Sequence, residues 1–293
     1  METNTTQELI TKELRPRKAS RWINKLIFTA LLIASAAFLV PILTVLMNSF
    51  KGKFFISDTP FLLPNSKTFV GLGNYVNGLE KTGFIKAFGW SLFITVASVL
   101  VIVLFTSMTG WFITRVKTKF TKTLYYLCVF SMIVPFQMVM FTMSKVANIL
   151  HLDNPFGIIV VYLGFAAGLS VFMFSGFVKS VPLEIEEAAL IDGCNPIQTF
   201  FLVVLPILKP IAITVSILNT MWIWNDYLLP YLLIGSEYKT IPIAIQYLQG
   251  GYGSIDMGAM MAMLILAIVP IVIFYLACQK YIVKGVVAGA VKG

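Results

Sequence analysis

Long uncharged runs alternate with short polar stretches along this 293-residue chain. Residues 26–50, 87–114, 124–144, 156–177 and 257–279 contain no Asp, Glu, Lys, Arg or His. Each run is long enough to cross a bilayer as a helix, which takes about 20 residues. A sixth uncharged run, 211–225, is short for a span at about 1.5 Å per residue. It crosses only by borrowing Leu205 and Pro206 on one side and Leu228 and Leu229 beyond Asp226, so the fifth span is drawn at 205–229. Within the third run, Pro135-Phe136-Gln137 predicts a kink whose freed carbonyl neighbouring helices can satisfy. A basic segment followed by an apolar run with Ala34-Ser35-Ala36 has the outline of a secretory signal. The apolar run continues well past that site, and an uncleaved first span is the better reading.

The polar stretches differ in kind. Residues 51–86, with Gly, Pro, Asn and mixed charge, read as an external loop, and 115–122 as a short basic loop. Residues 180–210 stand apart. Four of the thirteen acidic residues, Glu184, Glu186, Glu187 and Asp192, lie there between runs without charge. Three follow Pro182, where carboxylates complement the positive end of a helix dipole and proline is tolerated. Asp192-Gly193 and Asn195-Pro196 then supply stop signals. The pattern predicts a short exposed helix over 182–194.

Composition turns these runs into a class. The chain is 58% hydrophobic and 12% charged, against about 25% charged for a soluble domain. An all-α integral membrane protein with six transmembrane helices follows, with an N-terminal segment 1–25 and one transmembrane domain over 26–293. Six spans put both termini on one side. Of the 22 basic residues, fifteen fall on that side and seven on the other. The positive-inside rule therefore makes the termini and the 182–194 helix cytoplasmic. The net charge of +9 reflects this topology, since the basic residues flank apolar runs and form no aromatic-laced stripe for nucleic acid. Cys128, Cys194 and Cys278 show no ligand or CxxC spacing and read as buried small hydrophobes.

Chemistry of its own is not indicated. There is no GxxxxGK[ST] phosphate loop, HExxH or GxSxG, and the one histidine, His151, sits in a turn. No enzymatic activity, cofactor or metal is expected on this chain. A proton- or sodium-coupled carrier usually needs ionisable groups near the midplane, and the span interiors have none. Gln137, Asn219 and Asn225 are the polar candidates for a substrate path, against helix-to-helix hydrogen bonding for each taken singly. Gly164 and Gly168 form a small-xxx-small face that more often packs helices than touches substrate. A stand-alone facilitator or channel for a neutral solute remains compatible with this much.

One motif goes further. Glu187-Ala188-Ala189, then Asp192-Gly193, nine residues, and Val203-Val204-Leu205-Pro206 resemble the cytoplasmic "EAA" signature of ATP-binding-cassette importer permeases. Trp224-Asn225-Asp226-Tyr227 and the ending Gly289-Ala290-Val291-Lys292-Gly293 are similar to one permease of the carbohydrate (maltose-type) subfamily. The resemblance implies a half-pore that pairs with a second, related permease, two ATPase subunits and an extracytoplasmic sugar-binding protein. ATP and magnesium would sit on the partner ATPase. The 182–194 helix becomes a coupling helix, with Glu187, Ala188, Ala189, Asp192, Gly193, Leu205 and Pro206 at the ATPase contact. Ala288, Gly289, Ala290, Val291, Lys292 and Gly293 form a second, tail contact. Gln246, Tyr247, Gln249, Gly250 and Tyr252 face the binding protein. A related permease for a non-sugar solute is the substrate-level alternative.

Overall fold

The computed structural model describes the backbone of residues 18–235, 237–248 and 255–290, and these are helical almost throughout. In chain order the elements are α1 (Lys18–Asn48), α2 (Lys53–Asp58), α3 (Gly73–Thr82), α4 (Phe84–Arg115), α5 (Lys119–Ser131), α6 (Phe136–Ile149) and α7 (Gly157–Val178). There follow α8 (Glu184–Ile191), α9 (Pro196–Ile207), α10 (Lys209–Asn225), α11 (Leu228–Leu233), α12 (Ile241–Gln246) and α13 (Met257–Ala290). Within α1, α4, α7 and α13 lie four segments long and apolar enough to cross a membrane. Two further crossings exist only as bent pairs.

Those pairs correct two expectations. The third run is no kinked helix, because α5 and α6 meet at 110°. Pro135 caps α6 in an extended conformation (φ −63°, ψ 134°). A proline also disfavours the helical region for the residue before it, so the chain leaves the helix instead of bending within it. The fifth run is likewise two helices, α9 and α10, meeting at 76° around the fully buried Leu208. Proline in the first turn of α10 suits a helix start and not a continuation. Leu228 and Leu229 belong to α11, past an extended Asp226. In the last run the helix does not stop at 279. It continues through Ala288 and Gly289 to Ala290, roughly 51 Å at the usual rise per residue, more than an apolar core of about 30 Å.

The main core joins α4 to α7: Ile94, Val99 and Ile102 pack with Tyr162, Ala166 and Phe174. On the far side of α7, a Cβ on Gly168 would stand 2.6 Å from the Cys128 carbonyl oxygen of α5. Only glycine allows those two helices to come so close. Gly164, one turn away, has open space, so half of the small-residue face serves packing. Helix α1 is exposed along its apolar length and lies mainly against α13, as suits a helix facing lipid.

Residues 51–86 are a folded cap and not an open loop. Asn74 Nδ2 donates to the carbonyls of Ser49 and Lys51, 2.8 Å each. Lys51 is wholly buried, with its ammonium on the Thr59 carbonyl at 2.6 Å. A second apolar cluster, including Phe84, Trp224, Ile241 and Met263, seats this cap and α12 on the start of α13. Lys81 and Asn77 of α3 both reach Asp256, at 2.7 and 3.0 Å.

Candidate functional site

The acidic stretch folds as local signals direct. Glu184, Glu186 and Glu187 occupy the first turn of α8. Gly193 ends it at φ +89°, where side chains are strained, and the N–H groups of Gly193 and Cys194 reach back to Leu190 and Ala189 carbonyls. Asn195 does more than stop α8. With Gln198 it forms a reciprocal capping box (2.9 and 3.0 Å) that starts α9. Residues Thr199–Val204 of α9 then widen into a π-helical turn.

Glu186 turns inward, which the sequence did not signal. Its Oε1 accepts from Arg115 Nε at 2.9 Å and Nη2 at 2.7 Å, and its Oε2 accepts from Trp111 Nε1 at 2.9 Å. Arg115 Nη2 also donates to the Val181 carbonyl at 2.9 Å. The Trp111 ring packs on Phe200 of α9, centroids 5.5 Å apart. One buried carboxylate thus ties the cytoplasmic end of α4 to α8 and, through Trp111, to the π turn. Arginine and indole are pure donors and a carboxylate a pure acceptor, so the set is matched. Motif spacing could not show this, because the partners lie 71 and 75 residues away.

Of the sequence-derived coupling residues, Glu187, Ala188, Asp192, Gly193 and Pro206 are exposed and Leu205 is half-buried. Ala189 is buried inside this chain, where it seats α8 on its own protein. The outer surface instead carries Leu183, Leu190, Ile191 and Ile197, with Ile191 86% exposed. Exposed apolar side chains gathered around carboxylates have the composition of an interaction surface.

Residues 102–288 match the family model described as "Binding-protein-dependent transport system inner membrane component". The chain belongs to that family. This permease is 38% identical over 272 residues to the probable starch degradation products transport system permease protein AmyC of Thermoanaerobacterium thermosulfurigenes, covering 92% of this chain and 98% of that one. It is 35% identical to the multiple sugar-binding transport system permease protein MsmG of Streptococcus mutans (90% and 96% covered). Identity to the melibiose/raffinose/stachyose import permease protein MelC of Bacillus subtilis is 31% (89% and 94%). Its fold matches a chain of a bacterial ABC transporter involved in the import of the acidic polysaccharide alginate, at TM-score 0.76 and 23% identity over 90% of this chain and 98% of that one. The permease is therefore a multi-pass protein of a prokaryotic cytoplasmic membrane.

Among the described residues, the other candidates are not gathered into one site. Gln246 and Tyr247 are exposed at the end of α12, with Lys239 Nζ 3.7 Å over the Tyr247 ring; Gln249, Gly250 and Tyr252 lie outside the described residues. Of the tail, Ala288, Gly289 and Ala290 end α13, and Val291, Lys292 and Gly293 fall outside the described residues. Asn219 is buried and donates to Ser170 Oγ of α7 at 3.3 Å and the Val215 carbonyl at 2.8 Å, a helix-to-helix contact. Gln137 is exposed in the first turn of α6. Asn225 is exposed and bonded to its own helix at Met221. Asp226 accepts from the buried Tyr162 hydroxyl at 3.0 Å and from the N–H groups of Leu228 and Leu229, so it starts α11 and braces α7.

Proposed function

We propose that this permease is one half of the translocation pathway of an ATP-driven importer for an oligosaccharide or related sugar. A second, related permease completes the pathway, two cytoplasmic ATPase subunits bind ATP and magnesium, and an extracytoplasmic sugar-binding protein delivers substrate. The observation that carries the coupling role is α8: a cytoplasmic helix with an apolar, carboxylate-edged outer face, fastened inwardly to a spanning helix by Arg115 and Glu186. The names of the relatives, which concern starch products, multiple sugars and raffinose-type sugars, support the substrate class.

In this reading Glu187, Ala188, Asp192 and Gly193 meet the ATPase, with Leu205 and Pro206 at the elbow between α9 and α10. Glu187 pairs with a basic residue there. Residues 288–293 make a second contact, and 246–252 meet the binding protein. Closure of the ATPase dimer moves α8, and α4 follows as a rigid body because the ion pair joins them. Alternating access is then a shift between two packed arrangements biased by ATP.

Proteoliposomes test the proposal. Labelled malto-oligosaccharide or raffinose should enter only with the assembled complex, internal ATP and the binding protein, and not with this chain alone. Uptake by the chain alone would make it a facilitator. ATP-driven uptake of an amino acid, with no sugar, would keep the coupling role and overturn the substrate class.

A further inference from the structure

A cleft of ≈ 480 Å³ opens where α4 ends, α5 begins and α7 ends, lined by Lys117, Lys119, Lys122, Lys179, Tyr125 and Thr114 among others. Charge distribution places this end of all three helices at the cytoplasmic face. Neither ion pair found among the described residues, Lys81–Asp256 and Arg115–Glu186, involves any of the four lysines. The remaining basic group of the 115–122 loop, Arg115, points away to Glu186. What remains is concentrated positive charge in a walled cleft. Lys179 Nζ spans it to stand 5.8 Å over the Tyr125 ring. The N-terminus of α5, capped by the Thr118–Thr121 box, adds its dipole with the same sign.

Beside the cleft the surface changes in order. Lys119, Lys122, Tyr126 and Phe130 recur at three- and four-residue spacing and share one face of α5. Phe120 and Tyr126 are 68% and 58% exposed at the rim. Farther along α5 runs an apolar groove of ≈ 470 Å³ bounded by Leu127, Val129, Phe130 and Ile133. Cation, interfacial aromatic and hydrocarbon thus succeed one another along one helix, as do phosphate, glycerol and acyl chain along a phospholipid.

We propose that this cleft binds the phosphodiester of an anionic phospholipid, phosphatidylglycerol or its dimeric relative, with an acyl chain along the α5 groove. Free phosphate shares the headgroup chemistry but has nothing to place against Tyr126 and Phe130. The site anchors the α4–α5 turn, three residues from the Arg115–Glu186 link, to the inner leaflet. It needs only the membrane placement of the chain and stands whether or not the solute is a sugar.

The assembled transporter is purified into phosphatidylcholine nanodiscs with or without phosphatidylglycerol, and retained lipid is counted by native mass spectrometry. Wild type should retain phosphatidylglycerol and melt at a higher temperature with it, and inorganic phosphate should not substitute. The triple variant Lys117→Gln, Lys122→Gln, Lys179→Gln should bind it roughly 100-fold more weakly, about fivefold per lysine. Lys25→Gln, a basic residue at the same membrane face on α1, should bind as wild type. Equal retention by wild type and the triple variant overturns the site, and a full effect of inorganic phosphate overturns the lipid. If the triple variant fails to assemble, photoactivatable phosphatidylglycerol on the wild type decides. Labelling should concentrate on peptides of α5 and the end of α7, and labelling spread evenly over all helices refutes the proposal.

Discussion

Removing Glu186 tests the link between α8 and the spanning helix α4 most directly. Its side chain is 6% exposed and that of Arg115 18%, so neither charge is rehydrated without local opening. Glu186→Ala strands a buried guanidinium and the Trp111 N–H together, which predicts a loss of about 3–5 kcal/mol. Glu186→Gln keeps an acceptor for Arg115 but points an amide donor at the Trp111 donor. The cost there is about 1–3 kcal/mol. Arg115→Met alone leaves the carboxylate buried and should cost as much as Glu186→Ala. Arg115→Met combined with Glu186→Met replaces the pair by hydrocarbon and should recover most of the stability. Reversible unfolding in mixed micelles of the wild type, Arg115→Met, Glu186→Met and the double Met variant closes a double-mutant cycle, with an expected coupling of about 2 kcal/mol or more. A coupling below about 0.5 kcal/mol would refute the argument. ATPase activity and uptake by the reconstituted complex then separate two roles. If the double Met variant is stable and still transports at the wild-type rate, the pair holds the fold and does not transmit motion.

Two further outcomes follow from the packing. Gly168→Val should cost about 1–3 kcal/mol, since its Cβ would meet the Cys128 carbonyl oxygen at 2.6 Å and backbone cannot yield; Gly164→Ala, in open space, should be tolerated, and equal unfolding midpoints for the two would contradict the packing account. Burial would raise the Asp256 carboxyl, but the Lys81 ammonium, the Ala259 N–H and the Asn77 amide outweigh it and hold the group below its usual range. The stabilisation is therefore present above about pH 4 and lost as pH falls through the depressed value. Thermal melts at falling pH should show an acid limb that Asp256→Asn flattens, and parallel curves would rule the linkage out.

What the sequence determined by itself is what depends on near neighbours or on sums. Uncharged run length sets which segments can leave water, and the excess of lysine and arginine sets their orientation. The ends of α8 were legible because helix caps are local: Gly193 and Asn195 act on carbonyls and amides within a few residues. Motif spacing identified the family. Tertiary structure alone decided the rest. Pro135 promised a bend, but the 110° turn depends on how α5 and α6 pack on either side of it. Residues 51–86 look like a loop until Asn74 and Lys51 find carbonyls to bond and Met263 covers the apolar face. Above all, three glutamates stand almost side by side in one helical turn, and nothing local distinguishes them. Helical rotation aims Glu186 at Arg115 and Trp111, and Glu184 and Glu187 at solvent. A carboxylate's role is set by which charge it meets across the fold, and that meeting is made by the packing of α4 against α7 and of Trp111 against Phe200 of α9.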